Sequence, residues 1–213
     1  MAVTEQRSID RPRARRLDKA ERKAMLLRHA IAVFAHRGLG AAHHTEIAER
    51  ANVSEPTVFF YFPTREVLVA EVMDEVARFF LDIGETVHAK RASAPQIFLA
   101  HSRKFADAVD THPDYVRVLL EWSTAQSDEV RAAYLRFHQE ILATLTGTIR
   151  RWRAETGRNR NTAAEDEARV FAAAGYVLAH MKLAKLPTWR IERFIQTLVR
   201  DTLVEPPPVQ RTR

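Results

Sequence analysis

Apolar residues recur at helical spacing along almost the whole chain, and the helix breakers fall between those runs; nothing else in the sequence limits the fold as strongly. Gly (six) and Pro (nine) are few, and strand-like alternation is absent, so the spacing predicts an all-α chain of about nine helices. A first helix is expected over 18–37, with Leu27, Ala30, Ile31 and Phe34 on one face and Gly38 and Gly40 closing it. Short helices over 45–51 and 54–62 follow, and Thr64 caps a long helix that Gly84 is expected to stop. Pro95 and Pro113 open helices reaching about 110 and 125, and Val130, Phe137, Leu145 and Trp152 mark a long helix that ends near Gly157. Helices over 165–185 and 188–204 complete the set. This divides the chain into a flexible basic arm (1–17), an N-terminal three-helix unit (18–64), a longer helical body (65–204) and a disordered tail (205–213).

Composition narrows the function. No apolar stretch approaches the roughly 18 residues that span a bilayer, and no secretory segment opens the chain, so a cytoplasmic protein with no membrane partner is expected. The formal net charge of +6 is concentrated in residues 11–37, where nine Lys or Arg face two acids. A polyanion is the partner that such an end suits. Zero cysteines remove thiolate chemistry. The nine His do not restore an enzyme, because His43-His44-x-Glu46 lacks the spacing of a metal site. No phosphate loop, nucleophile elbow or carboxylate pair appears either. The expectation is no catalytic residue, no metal and no cofactor.

The two short helices have the size pattern of a helix-turn-helix: Ala48 and Ala51 on the first, Val53 in the turn, Val58 on the second. Ser54 stands at the second helix's N-cap and Pro56 in its first turn, where a missing donor is harmless. The helix start therefore offers free N–H groups to phosphates and base edges.

On these residues a resemblance becomes specific. The run Thr45-Glu-Ile-Ala-Glu-Arg-Ala-Asn-Val-Ser-Glu-Pro-Thr-Val-Phe-Phe-Tyr-Phe-Pro-Thr-Arg-Glu-Val-Leu68, preceded by Ala32-Val-Phe-Ala-His-Arg-Gly38, resembles the TetR family of transcriptional regulators. Its wording is similar to the HapR/SmcR-type branch, the quorum-sensing master regulators, as are Arg11-Pro-Arg-Ala-Arg15 and Glu121-Trp-Ser123. The resemblance implies a homodimer on a pseudo-palindromic operator, repressing by occlusion or activating through RNA polymerase. It implies that Thr45 and Ser54 cap the motif helices near phosphates, that Thr57, Phe60 and Tyr61 face the major groove, and that Arg65 lies beside the backbone. Pro56, Phe59 and Thr64 complete that surface, and Arg11, Arg13 and Arg15 reach a minor groove. Phe60 departs from the branch, which usually has Asn there; Phe cannot hydrogen-bond a base edge but can touch a thymine methyl. Packing is the alternative for Phe59, Phe60 and Tyr61, while Val58 and Phe62 are expected in the core.

In a TetR-like chain the remaining helices bind ligand and dimerise. Phe171, Ala172, Gly175, Tyr176 and Ala179 on one helix, with Phe194, Ile195, Leu198 and Thr202 on the next, are the expected dimer interface. Phe79, Phe80, Phe98, His101, Ser102, Phe105, Trp122, Phe137 and Met181 are either ordinary core or the lining of a pocket for a small apolar effector. Such an effector would make the protein a local repressor of a neighbouring efflux or metabolic operon.

Overall fold

The computed structural model describes residues 17–157 and 163–203, and the helices in them are α1 (Lys19–Arg37), α2 (His44–Ala51), α3 (Glu55–Tyr61), α4 (Arg65–His88), α5 (Ala94–Thr111), α6 (Pro113–Trp122), α7 (Asp128–Thr156), α8 (Ala164–Leu183) and α9 (Thr188–Leu203). The expected arm, most of the loop after Gly157 and the tail lie outside the described residues. None of these helices is long and apolar enough to cross a membrane.

Their ends follow from local chemistry. Asp18 and Glu21 form a capping box, with Glu21 N–H donating to Asp18 Oδ1 at 2.8 Å and Asp18 N–H to Glu21 Oε2 at 2.9 Å. α1 stops at Gly38, whose φ of 85° suits a residue without Cβ and whose N–H donates to Phe34 O at 2.8 Å. The Thr64 hydroxyl accepts from Val67 N–H at 3.3 Å, as expected of the α4 cap. Gly84 does not end α4, which continues to His88. The face bearing Val76, Phe80 and Gly84 stays buried through Val87, and the packing of that last turn outweighs the modest helix penalty of one glycine.

One apolar core joins α1, α2, α3, α4 and α6 through Phe34, Ile47, Val58, Phe62, Leu68, Val76, Val116 and Trp122. It runs without a break across the expected boundary at residue 64, so the head is seated on α4 and α6. A second cluster packs Val87, Phe98, Ile149, Trp152 and Phe171, and a third ties Ala106 to Leu178, Ile191 and Ile195.

The seat is fixed at the α1–α2 turn. Leu39 N–H donates to Glu121 Oε1 at 2.7 Å, and the Arg65 guanidinium donates to Leu39 O. A Cβ on Gly38 would lie 2.9 Å from Glu121 Oε1. Gly38→Ala is therefore expected to destabilise the protein by about 1–2 kcal/mol, chiefly through the left-handed backbone. A thermal melt should fall by roughly 2–8 °C; an unchanged melt would refute the assignment.

Candidate nucleic-acid interface

α2 and α3 cross closely because Ala48 and Ala51 are small, and the turn closes with Val53 N–H donating to Ala48 O at 3.0 Å. Asn52 takes the left-handed conformation there, at φ 52°. Val58 and Phe62 are buried, as the periodicity requires. His44 locks the pair: its ring is buried, Nε2 lies 2.8 Å from Phe62 O, and it stacks on Phe59 at 4.2 Å between centroids.

The outward face of α3 is aromatic. Phe60 is 67% exposed, and Lys19 Nζ lies 5.3 Å from its ring centroid. Tyr61 is half-buried with its ring edge-on to Phe60, and Phe59, though 42% exposed, is held by His44. Thr57 is half-buried, and Pro56 and Thr64 are exposed. The sequence reading missed Lys19 and His44: one sits in a different helix from its ring partner, and the other resembled half of a non-functional His pair.

Two expected caps differ. Thr45 lies within the first turn of α2, where His43 holds the cap position, and its hydroxyl donates to Glu55 Oε1 at 3.1 Å. Ser54 does occupy the α3 cap position, but its hydroxyl pairs with that of Thr57 at 2.8 Å and bonds no backbone N–H. Arg65 opens α4, yet its guanidinium is engaged by Leu39 O and serves the turn. Arg11, Arg13 and Arg15 lie outside the described residues.

Behind this head, a cavity of about 80 Å³ is lined by α4 to α9. Phe80, His101, Ser102, Phe105 and Phe137 line it as expected. The other expected pocket residues lie elsewhere. Phe79 packs on His112 and Tyr115; Phe98 belongs to the second core cluster; Met181 packs in the third. Trp122 is buried beneath Phe137, with its Nε1–H donating to Val130 O at 2.9 Å.

The expected dimer residues also turn inward. Phe171, Ala172, Gly175, Tyr176 and Leu198 line the same cavity. Ala179, Ile195 and Thr202 are buried in the chain, and Phe194 packs in the third cluster. The apolar residues that α8 leaves in water are Val170, at 55% exposed, Ala173 and Val177, at 48%. Trp189 at the start of α9 is 60% exposed.

A helix-turn-helix with an exposed reading face, seated on a helical body, is the architecture of a DNA-binding regulator. Residues 26–72 match the family described as "Bacterial regulatory proteins, tetR family". That match runs from within α1 into the first turns of α4 and so covers the N-terminal head. It is 40% identical over 125 residues to the HTH-type transcriptional regulator LuxR of Vibrio harveyi, over 56% of this chain and 58% of that protein. The chain thus spans little more than half the length of that relative. The fold is shared with a TetR-like transcriptional regulator from Rhodococcus sp. RHA1, with a TM-score of 0.73, 17% identity and coverage of 89% of this chain and 100% of that one. It is also shared with FadR of Bacillus subtilis, solved with stearoyl-CoA, with a TM-score of 0.70, 14% identity and coverage of 85% and 97%.

Proposed function

We infer that the protein is a homodimeric transcriptional regulator that binds a pseudo-palindromic operator. The observation that carries the reading is the exposed face of α3, where Phe60 and Thr57 are presented on a helix fixed by His44. Dividing the chain into a reading head (18–64) and a regulatory body (65–204) fits this role, with Arg11, Arg13 and Arg15 tracking an adjacent minor groove. The dimer face we assign is the exposed strip of α8, Val170, Ala173 and Val177, together with Trp189 of α9. Two heads related by a two-fold axis would meet half-sites about one DNA turn, roughly 34 Å, apart. The branch resemblance favours a place in quorum sensing, in the cytoplasm, with RNA polymerase as partner where the regulator activates.

Affinity selection of random duplexes at about physiological salt tests this, since lower salt hides preference under electrostatic binding. A pseudo-palindrome should be enriched, with thymine methyls opposite Phe60. No enrichment over input would overturn the reading. The cavity favours a further element, control by a small apolar effector, because its walls are apolar and shared by α4 to α9.

A further inference from the structure

Among the polar groups on the cavity wall, which are His101, Ser102, His138 and Tyr176, His101 belongs to a relay that extends beyond the lining. His101 Nδ1 lies 2.9 Å from His88 Nε2, and His88 Nδ1 lies 2.7 Å from Thr148 Oγ1. Arg151 stands behind Thr148, with Nη2 at 3.5 Å from the hydroxyl and 3.4 Å from His88 O. Both ring nitrogens of His88 are therefore engaged, and only Nε2 of His101 remains without a protein partner among the described residues. His101, together with Ile141 and Leu145, is shared by this cavity and a neighbouring cleft between α4 and α7.

The fixed charge of Arg151 sets the direction of the chain. Each dipole turns its negative end to the guanidinium, so the Thr148 hydroxyl donates to His88 Nδ1 and His88 Nε2–H donates to His101 Nδ1. That tautomer leaves His101 with Nε2–H, a donor. Burial, and then the neighbouring Arg151 charge, hold His88 well below the usual histidine range; burial, and then His88, do the same for His101. Burial also pushes the Tyr176 phenol up, so it too stays neutral. Among the described residues no Lys, Arg, Asp or Glu lines the cavity, the remaining wall histidine, His138, is also lowered by burial, and the carboxylates of the neighbouring cleft, Glu85 and Glu140, would repel an anion. A carboxylate entering here would lose its hydration with no cation to replace it.

We propose that the relay makes this cavity a receptor for an uncharged apolar molecule with a single hydrogen-bond acceptor, a ketone or ester carbonyl seated on Nε2–H of His101, and that it rejects carboxylates. The proposal rests on the reading of the cavity as an effector site and adds the chemistry of the effector.

Six- to ten-carbon 2-ketones, the matching alkanes and the matching carboxylates provide the test, titrated calorimetrically into the full chain at pH 7.5. The ketone should bind about tenfold or more tighter than either partner of equal length, the size of one well-placed hydrogen bond. His101→Phe should erase the ketone's advantage over the alkane, while His101→Gln, whose amide restores a donor, should return part of it; circular dichroism checks that each variant is folded. A carboxylate that binds as tightly as the ketone, or a ketone advantage that survives His101→Phe, overturns the proposal. Failure of every member to bind overturns the effector reading itself, and the proposal with it.

Discussion

Replacing Val177 by Glu is expected to convert the protein into folded monomers and to weaken operator binding by about a hundredfold or more. Val177 is 48% exposed, Val170 55%, and Ala173 between them is exposed as well, so the three form one strip on α8 at helical spacing. In a monomer a carboxylate at this position simply faces water, and the helix keeps its inward residues Phe171, Leu178 and Ala179. Across a two-fold interface the same substitution appears twice, burying two unpaired charges of like sign close to the axis. The heads then meet their half-sites independently, and a single half-site held by one small domain supplies only part of the affinity of the whole. Sedimentation should show half the mass with an unchanged circular dichroism spectrum, and fluorescence anisotropy should show the affinity loss. A Val177→Glu protein that sediments as a dimer and binds its operator normally would reject this face.

The strip assigned here differs from the residues that helical spacing suggested, and the difference has a physical cause. α8 is small and apolar nearly all round: Val170, Phe171, Ala172, Ala173, Ala174 and Gly175 follow one another, so no polar stripe marks the solvent side and the phase is undetermined. Spacing alone therefore does not separate the cavity wall of α8, Phe171, Ala172, Gly175 and Tyr176, from its exposed strip. The head was legible for the opposite reason. Asp18, Gly38 and Thr64 mark helix ends by their own side chains or by lack of one, and the spacing of Ile47, Ala48, Val58 and Phe62 has a single apolar phase. Gly84 misled because glycine at a helix stop and glycine inside a buried helix look alike until the partner is known; here the neighbour is His101, whose Cε1 would lie 3.8 Å from an added Cβ. The same limit hid His88. Its partners are 13 and 60 residues away, and no local pattern reports contacts of that range. Phe79 and Phe80 show it at its smallest, since neighbours on a helix leave its axis about 100° apart and only the packed structure decides which one meets the cavity.

Acid should destabilise the protein through its histidines, beginning just below pH 6.5. Folding lowers His88 from 6.5 to about 4 and His101 from 6.5 to about 3, in each case mainly by burial. The unfolded chain takes up protons as pH falls below 6.5, while the folded chain does not until its own lower values are reached. Between pH 6.5 and about 4 the unfolded state thus binds more protons, so stability is greatest above 6.5 and declines toward acid, by up to about 1.4 kcal/mol per pH unit for each histidine. His29 and His138 are lowered as well, again by burial first, and they tilt the curve the same way. Around the central pair the charged neighbour is Arg151 on α7, which opposes protonation, and Glu85 and Glu140 line only the neighbouring cleft. Urea melts at pH 6.0, 5.25 and 4.5 should therefore show a falling midpoint in the native protein. The double variant His88→Asn, His101→Gln should start lower, because it disturbs a packed relay, but lose less stability with each step, since two of the titrating groups are gone. Equal slopes for the two proteins would mean that these rings already carry protons when folded. That outcome would remove the electroneutral wall on which discrimination against a carboxylate depends, whereas a flattened slope would show that the relay is kept neutral by the fold that surrounds it.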